Sequence, residues 1–204
     1  MDKTKKNIKN FVISSLTMNK HHYKFEKNFI DNLLKNYKNY KIYLLVSQKG
    51  IIKKNKRISE VHFPLYSKSI FYRLYLFYFG LKSISKKINP DIWFSCDSLT
   101  PNVITKRLFS YYHTPSPFFK LKLPNFKNNI IFYLQGLIYN FFIKLLIKKN
   151  TKIVVQSKWM KKEFIKRYKI KNIIVAHLDY VKSIKNKTIH KKFKNFYYPS
   201  YPYI

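Results

Sequence analysis

Several polar side chains that could do chemistry stand directly after apolar segments of the sequence. Asp97, one of only eight acidic residues, follows the segment DIWFS and could act as a general base, although capping a loop is the simpler interpretation. His113 ends the segment LFSYYH and could either face a ligand or bond its own loop. Ser157 precedes a helical pattern, where it is either a plain N-cap or a contact for an anion.

No self-sufficient catalytic signature accompanies these residues. The three glycines (Gly50, Gly80 and Gly136) are isolated, so the sequence contains neither a dinucleotide-binding fingerprint nor a phosphate-binding loop. Cys96 is the only cysteine, which excludes an intramolecular disulfide and fits a reducing cytoplasm; we expect it to be a small buried residue. None of the six histidines forms an H-x-x-x-H pair with a carboxylate, so we expect no metal and no cofactor.

The elements that would position these residues alternate between strand and helix. Short apolar runs predict six strands and one further short strand, and runs of helical period predict the helices between them. The predicted strands are 10–14, 42–47, 61–64, 91–95, 108–113, 152–156 and 172–176, and the helices are 23–37, 69–88, 126–149 and 158–168. This alternation indicates an α/β fold with a Rossmann-like, doubly wound parallel sheet, whose ligands bind at the carboxyl ends of the strands.

One helix is apolar enough to raise the question of a membrane. Residues 130–147 (IIFYLQGLIYNFFIKLLI) are at the lower limit of spanning length and include Lys144. Because this stretch is short, charged and placed between two strand patterns, we expect a helix that is buried in the domain or pressed on a bilayer surface.

The net charge of +34 has two competing explanations. It could serve a polyanionic partner, either nucleic acid or an anionic membrane surface. However, only four of the 42 basic residues are arginine, and the lysines are scattered along the chain rather than clustered. Nucleic-acid readers rely on arginine, so this composition favours compositional drift with incidental membrane attraction over a nucleic-acid function.

The strand ends carry a resemblance to a known family. Three segments are similar, in order and spacing, to the N-terminal domain of family 4 glycosyltransferases. They are PDIWFSCDSLTPNV (90–103), FSYYHTPSPFF (109–119) and IVVQSKWMKKEFIKRYKIKNIIVAHLDYV (153–181). FYYPSYPYI (196–204) resembles the opening strand of that family's C-terminal domain. The resemblance therefore predicts an N-terminal domain over 1–181, then a basic linker and the first strand of a truncated second domain over 182–204.

The resemblance implies the acceptor-binding half of a GT-B enzyme. Such an enzyme uses a nucleotide-sugar donor and a glycan or lipid-linked acceptor, retains the anomeric configuration and needs no metal. His113 matches the family's histidine after the fourth strand and would contact the transferring sugar or the acceptor. The other residues expected at the cleft are Ser15, Lys20, His21, Ser95, Thr114 and Ser157.

Two departures from the family pattern bear on activity. The family's first loop often has a Gly-Gly pair near the donor phosphates, whereas LTMNKHHYKF (16–25) has none and offers Lys20 and His21 as positive charge. The paired glutamates of the donor-binding domain are also absent. We therefore expect the chain to be inactive alone, and to work in polysaccharide or lipopolysaccharide synthesis with a separately encoded C-terminal half, at the cytoplasmic face of the membrane. The alternative is a non-catalytic basic module that binds an anionic membrane surface or nucleic acid.

Overall fold

A computed structural model describes residues 8–17, 24–50, 52–53, 55–118 and 126–176. The predicted linker and second-domain strand (182–204) and the candidate residues Lys20 and His21 lie outside these residues. The strands are β1 (Lys9–Ser14), β2 (Tyr40–Val46), β3 (Ile58–His62), β4 (Ile92–Ser95), β5 (Arg107–Tyr112), β6 (Lys152–Val155) and β7 (Ile173–Val175). The α-helices are α1 (Lys24–Asn36), α2 (Ile70–Tyr75), α3 (Leu81–Ile88), α4 (Phe126–Leu146) and α5 (Lys158–Tyr168).

The described strands form one parallel sheet in the order β3-β2-β1-β4-β5-β6-β7. The chain leaves β1 toward one edge through α1 and β2, then returns to the centre at β4 and continues toward the other edge. The strand order therefore reverses between β1 and β4, which is the position where ligands bind in doubly wound sheets. The predicted α/β, Rossmann-like doubly wound sheet is confirmed.

Two faces of the sheet are packed by different helices. On one face, Phe11, Ile13, Ile42 and Leu44 form a core with Ile30 of α1. On the other face, Val12, Trp93 and Leu108 pack with Leu76, Phe77 and Leu81 of the second helical segment, which runs from the start of α2 to the end of α3. Ile153 and Val155 of β6 continue this face and pack with α4 and α5. The continuous apolar strands of the sequence correspond to this burial on both faces.

The helical segment from Ile70 to Ile88 is interrupted by a π-helical turn at Leu76–Gly80. Such a turn displaces carbonyl groups from the helical ladder. Two of these carbonyls are taken by the loop after β4: the backbone N–H of Asn102 donates to Phe77 O at 2.9 Å, and its side-chain amide donates to Tyr78 O at 2.9 Å. The π turn thus ties the helix to the carboxyl edge of the sheet.

The predicted ends of this segment are also confirmed. The Ser69 hydroxyl accepts from the Tyr72 N–H, and the helix stops at Asn89, which has φ +48° directly before Pro90. An asparagine in the left-handed conformation is a common helix terminator, and the proline that follows cannot continue the helix.

The short strand predicted at 61–64 is wrong in its bounds. The structure has β3 at Ile58–His62, and Pro64 begins a 3₁₀ turn at Pro64–Ser67. Pro64 cannot extend the strand, because proline has no N–H to donate to a neighbouring strand. The edge strand is half-exposed and includes the polar residues Ser59 and Glu60, so its first residues do not form an apolar run. The sheet of the described residues has seven strands, and β3 corresponds to the further short strand predicted beside the other six.

Helix α4 is partly buried and partly exposed. Ile143 and Leu146 enter the core, while Leu134, Leu137, Phe141 and Leu145 face outward. None of the helices in the described part combines the length and apolarity needed to cross a membrane.

Candidate functional site

The carboxyl ends of β1, β4 and β5 carry a row of buried serines. Ser14 pairs in register with Ser95, and Ser95 pairs with Ser110. All three side chains are fully buried, and each hydroxyl has a partner: Ser14 donates to Asp97, Ser95 to the Leu99 carbonyl and Ser110 to Asn150. Because a serine occupies little volume, the loops that follow these strands can fold back onto the end of the sheet.

Asp97 lies under the loop that follows β1. Its Oδ2 accepts from the Ser14 hydroxyl at 2.9 Å, and its Oδ1 accepts from the backbone N–H of Thr17 at 3.1 Å and from the Thr17 hydroxyl at 3.3 Å. Burial raises the pKa of Asp97 to about 7, although these hydrogen bonds favour the ionised form. The carboxyl group therefore braces the β1 and β4 loops against each other and changes its protonation state near neutral pH.

His113, at the end of β5, is held by Ser98 in the loop after β4. The backbone N–H of His113 donates to Ser98 Oγ at 3.2 Å, and His113 Nδ1 lies 3.1 Å from the same oxygen. Ser98 is buried and has φ +55°, a left-handed conformation that is costly for a residue with a side chain. Two contacts to one histidine keep this serine in place.

This contact defines which nitrogen of His113 is available. Ser98 Oγ accepts the backbone N–H of His113 and still has a lone pair and a proton, so it can pair with Nδ1 in either neutral tautomer; when the hydroxyl donates to Nδ1, the imidazole carries its proton on Nε2. Burial lowers the pKa of His113 and favours that neutral form. No described residue forms a hydrogen bond with Nε2. Nε2 is therefore the ring nitrogen of His113 that remains for a ligand at the carboxyl edge of the sheet.

A second polar network supports the same edge from the side of α4. Asn150 receives the Ser110 hydroxyl at 2.7 Å and donates to Thr100 Oγ1 at 2.6 Å. Thr100 Oγ1 in turn lies 2.7 Å from the Tyr112 hydroxyl, and Thr100 and Tyr112 are buried. A fully paired buried network makes the 96–100 loop rigid, which fixes the position of Ser98.

The other predicted site residues differ in how open they are. Ser15 is buried and donates to Glu26 Oε1 at 3.2 Å, and Ser95 is buried on the Leu99 carbonyl. Ser157 caps α5 by accepting from the Met160 N–H at 3.3 Å, which confirms the capping interpretation. Thr114 is half-buried next to His113. Contact of these residues with a ligand stays a prediction.

Sequence patterns did not single out Ser98, Thr100 or Asn150. The signal that could have found them is the polar run CDSLT after β4, which is too long and too polar for a simple connection. Cys96 in that run is buried as predicted. Within the described residues, no three His, Cys, Asp or Glu side chains come together to hold a metal ion.

Comparison with protein-family models gives no match, and comparison with curated proteins gives none either. Solved structures do resemble the chain. A crystal structure of a glycosyltransferase from Rickettsia africae ESF-5 is 15% identical, with a TM-score of 0.46, over 84% of this chain and 43% of that one. The chain thus spans less than half the length of that protein.

Proposed function

We propose that the chain is the acceptor-side domain of a glycosyltransferase that takes its sugar from a nucleotide sugar. The observation that carries the proposal is His113, a neutral imidazole that is held through Nδ1 and has Nε2 left for a ligand at the carboxyl edge of the sheet. A glycan suits this position because each of its hydroxyl groups can either accept from Nε2–H or donate to an unprotonated Nε2. The family 4 motifs around His113 support the same role.

Transfer also requires groups beyond an acceptor site. Acceptor and donor must be held together, with positive charge or hydrogen-bond donors on the leaving diphosphate. The resemblance assigns those groups to a second domain, so we expect a donor-binding half to complete the enzyme. With that half, the reaction would retain the anomeric configuration without a metal and serve polysaccharide or lipopolysaccharide synthesis.

Acceptor binding by the 204-residue chain tests the role of His113. Ligand-observed NMR with a panel of glycans should find a weak acceptor whose signal is lost in His113→Asn. The asparagine amide takes the place of Nδ1 beside Ser98, whereas Nε2 is removed. His62→Asn is a matched control, because His62 also ends a strand but belongs to edge strand β3.

Two results would count against the proposal. One is a glycan that binds equally well to the His113→Asn variant. The other is sugar transfer by the isolated chain with a panel of nucleotide sugars, since we expect none without a donor-binding half.

We also propose a membrane location at the cytoplasmic face, and an exposed apolar surface supports contact with a membrane. Seven large apolar side chains on two helices point outward and are 46–81% exposed. They are Phe71, Tyr75 and Phe79 on the second helical segment, and Leu134, Leu137, Phe141 and Leu145 on α4. The two helices are neighbours, because the Tyr78 and Phe142 rings lie 5.0 Å apart. We call these seven side chains the apolar face. Residues 61–90 and 98–162 contain no Asp or Glu, so the charged side chains of these stretches are lysines and arginines, which suits an anionic lipid surface.

A further inference from the structure

A small cavity lies between the second helical segment and α4, beside the apolar face. It has a volume of about 60 Å³, which is room for several water molecules or one phosphoryl group. Leu74, Leu99 and Phe142 form apolar walls, and the polar groups that line it are Arg73, Tyr66 and Tyr139.

Arg73 is a rigid, half-buried cation without an acidic partner. Its Nε donates to the Tyr66 carbonyl at 2.6 Å, its Nη2 donates to the Ser67 carbonyl at 3.2 Å, and the guanidinium lies 5.2 Å from the centre of the Tyr66 ring. Nη1 makes no hydrogen bond within the described residues. By contrast, Arg167 is half-buried and pairs with Glu163. No carboxylate of the described part comes within salt-bridge distance of Arg73.

The two tyrosine hydroxyls lie within electrostatic reach of this cation. Burial raises the pKa of Tyr66 and of Tyr139, and the positive charge of Arg73 opposes that rise at both. Both phenols thus remain protonated and can donate. Asp97 is the nearby negative group, acting on both phenols, but its oxygens are already occupied by Ser14 and Thr17.

We propose that Arg73, Tyr66 and Tyr139 form a binding site for a phosphoryl group attached to an apolar body. A guanidinium N–H and two phenol O–H groups offer three donors, which a phosphoryl group can satisfy with its three free oxygens, whereas a carboxylate has two. The apolar walls and the outward Ile138 at the rim suit the carbon chain of an ester. This site does not use His113, since Leu99 is the residue of the loop after β4 that lines the cavity, whereas Ser98 makes the His113 contact.

A pair of arginine variants of the 204-residue chain tests the site. Arg73→Gln and Arg57→Gln each remove one positive charge and a side chain that donates to two backbone carbonyls, because Arg57 bonds Leu34 and Tyr37 at the end of α1. Binding is measured by sedimentation with phosphatidylcholine vesicles that contain phosphatidic acid. We expect Arg73→Gln to weaken binding about tenfold or more, and Arg57→Gln to change it by about twofold or less.

Inorganic phosphate distinguishes the two sources of the group. If phosphate at constant ionic strength shifts the Arg73 side-chain N–H resonance and abolishes the Arg73-dependent part of vesicle binding, a free phosphate suffices. If only the vesicles respond to Arg73, the site takes a lipid phosphate. Both results support the site.

Equal weakening by Arg73→Gln and Arg57→Gln, with no effect of inorganic phosphate, would overturn the proposal in favour of general charge attraction. Should Arg73→Gln fail to fold, Tyr139→Phe provides the second test, because it removes one donor and leaves the apolar ring in place. We expect Tyr139→Phe to weaken vesicle binding about threefold or more, and unchanged binding would count against the site.

Discussion

Burial shifts the two titratable groups at the carboxyl edge toward their neutral forms. It raises the pKa of Asp97 to about 7 and lowers the pKa of His113. Ser98 connects the two residues, because it touches His113 directly and follows Asp97 in the chain. Below about pH 7 the neutral forms of both groups suit hydroxyl-bearing ligands better than ions, and anion binding is left to other cationic groups such as Arg73.

The raised pKa makes Asp97 a source of pH-dependent stability. The folded chain holds the Asp97 proton up to about pH 7, whereas an unfolded aspartate loses it near 3.8. The protonated Asp97 therefore contributes fully to the free energy of unfolding below about pH 4. As the pH rises to about 7, the free energy of unfolding falls by at most about 4 kcal/mol.

We predict that Asp97→Asn removes this decline in the free energy of unfolding with rising pH. The asparagine can accept from Thr17 through Oδ1 and donate to Ser14 Oγ through Nδ2, so the loop contacts survive. Urea unfolding of both proteins between about pH 4 and about pH 8 measures the difference. Asp91→Asn is the control, because the hydrogen bond from Lys106 lowers the pKa of Asp91; this carboxylate is ionised in the folded and the unfolded chain above about pH 4, so its replacement should leave the decline in place. Parallel stability profiles for the chain and Asp97→Asn would contradict the prediction.

At the scale of single elements, helix ends were better predicted than strand partners. Ser157 and Asn89 act locally, through a hydroxyl on the first turn and a left-handed residue before proline, so the residue types alone indicate them. Edge strand β3 is half-exposed and depends on pairing with β2, which no local pattern reports. The π turn at Leu76–Gly80 likewise exists because Asn102, distant in sequence, takes the released carbonyls.

The cap at Ser157 gives a test at this scale. Ser157→Ala removes the acceptor for the Met160 N–H and should destabilise the domain by about 1 kcal/mol, or about 2–4 °C in Tm. Ser157→Asp restores an acceptor and should recover the loss, since a carboxylate also favours a helix N-terminus. Ser83→Ala, at an exposed position inside α3, is the control and should change Tm little. A Ser157→Ala protein as stable as the parent would show that the cap contributes nothing.

Across the whole molecule, charge and apolar surface are distributed unevenly. The acid-free stretches 61–90 and 98–162 include the second helical segment and α4, which carry the apolar face. Sequence composition indicated the excess of lysine but not the exposed apolar side chains near it, because exposure depends on which side of each helix the sheet covers. Nor could composition show that Arg73, one of four arginines, lines a cavity beside that face.

The apolar face predicts membrane binding that salt weakens without abolishing. Binding to anionic vesicles should fall as salt screens the lysines, then level off because aromatic side chains remain inserted. Phe71→Gln, at the most exposed of these side chains, should weaken binding about fivefold or more, whereas Ile165→Gln on α5 should not. Equal binding to neutral and anionic vesicles would exclude this surface as an anionic-lipid contact, and complete loss at high salt would favour charge alone.

The buried serine row has a consequence for how the strands find their partners. A strand displaced by two residues keeps the same side chains on the same faces, so hydrophobic burial opposes this error only weakly. Such a displacement would separate Ser14 from Asp97 and Ser110 from Asn150 and leave buried hydroxyls unpaired, at about 1–3 kcal/mol each. These two hydroxyls at the carboxyl edge thus also favour the native register of β1 on β4 and of β5 on β6 over a register displaced by two residues.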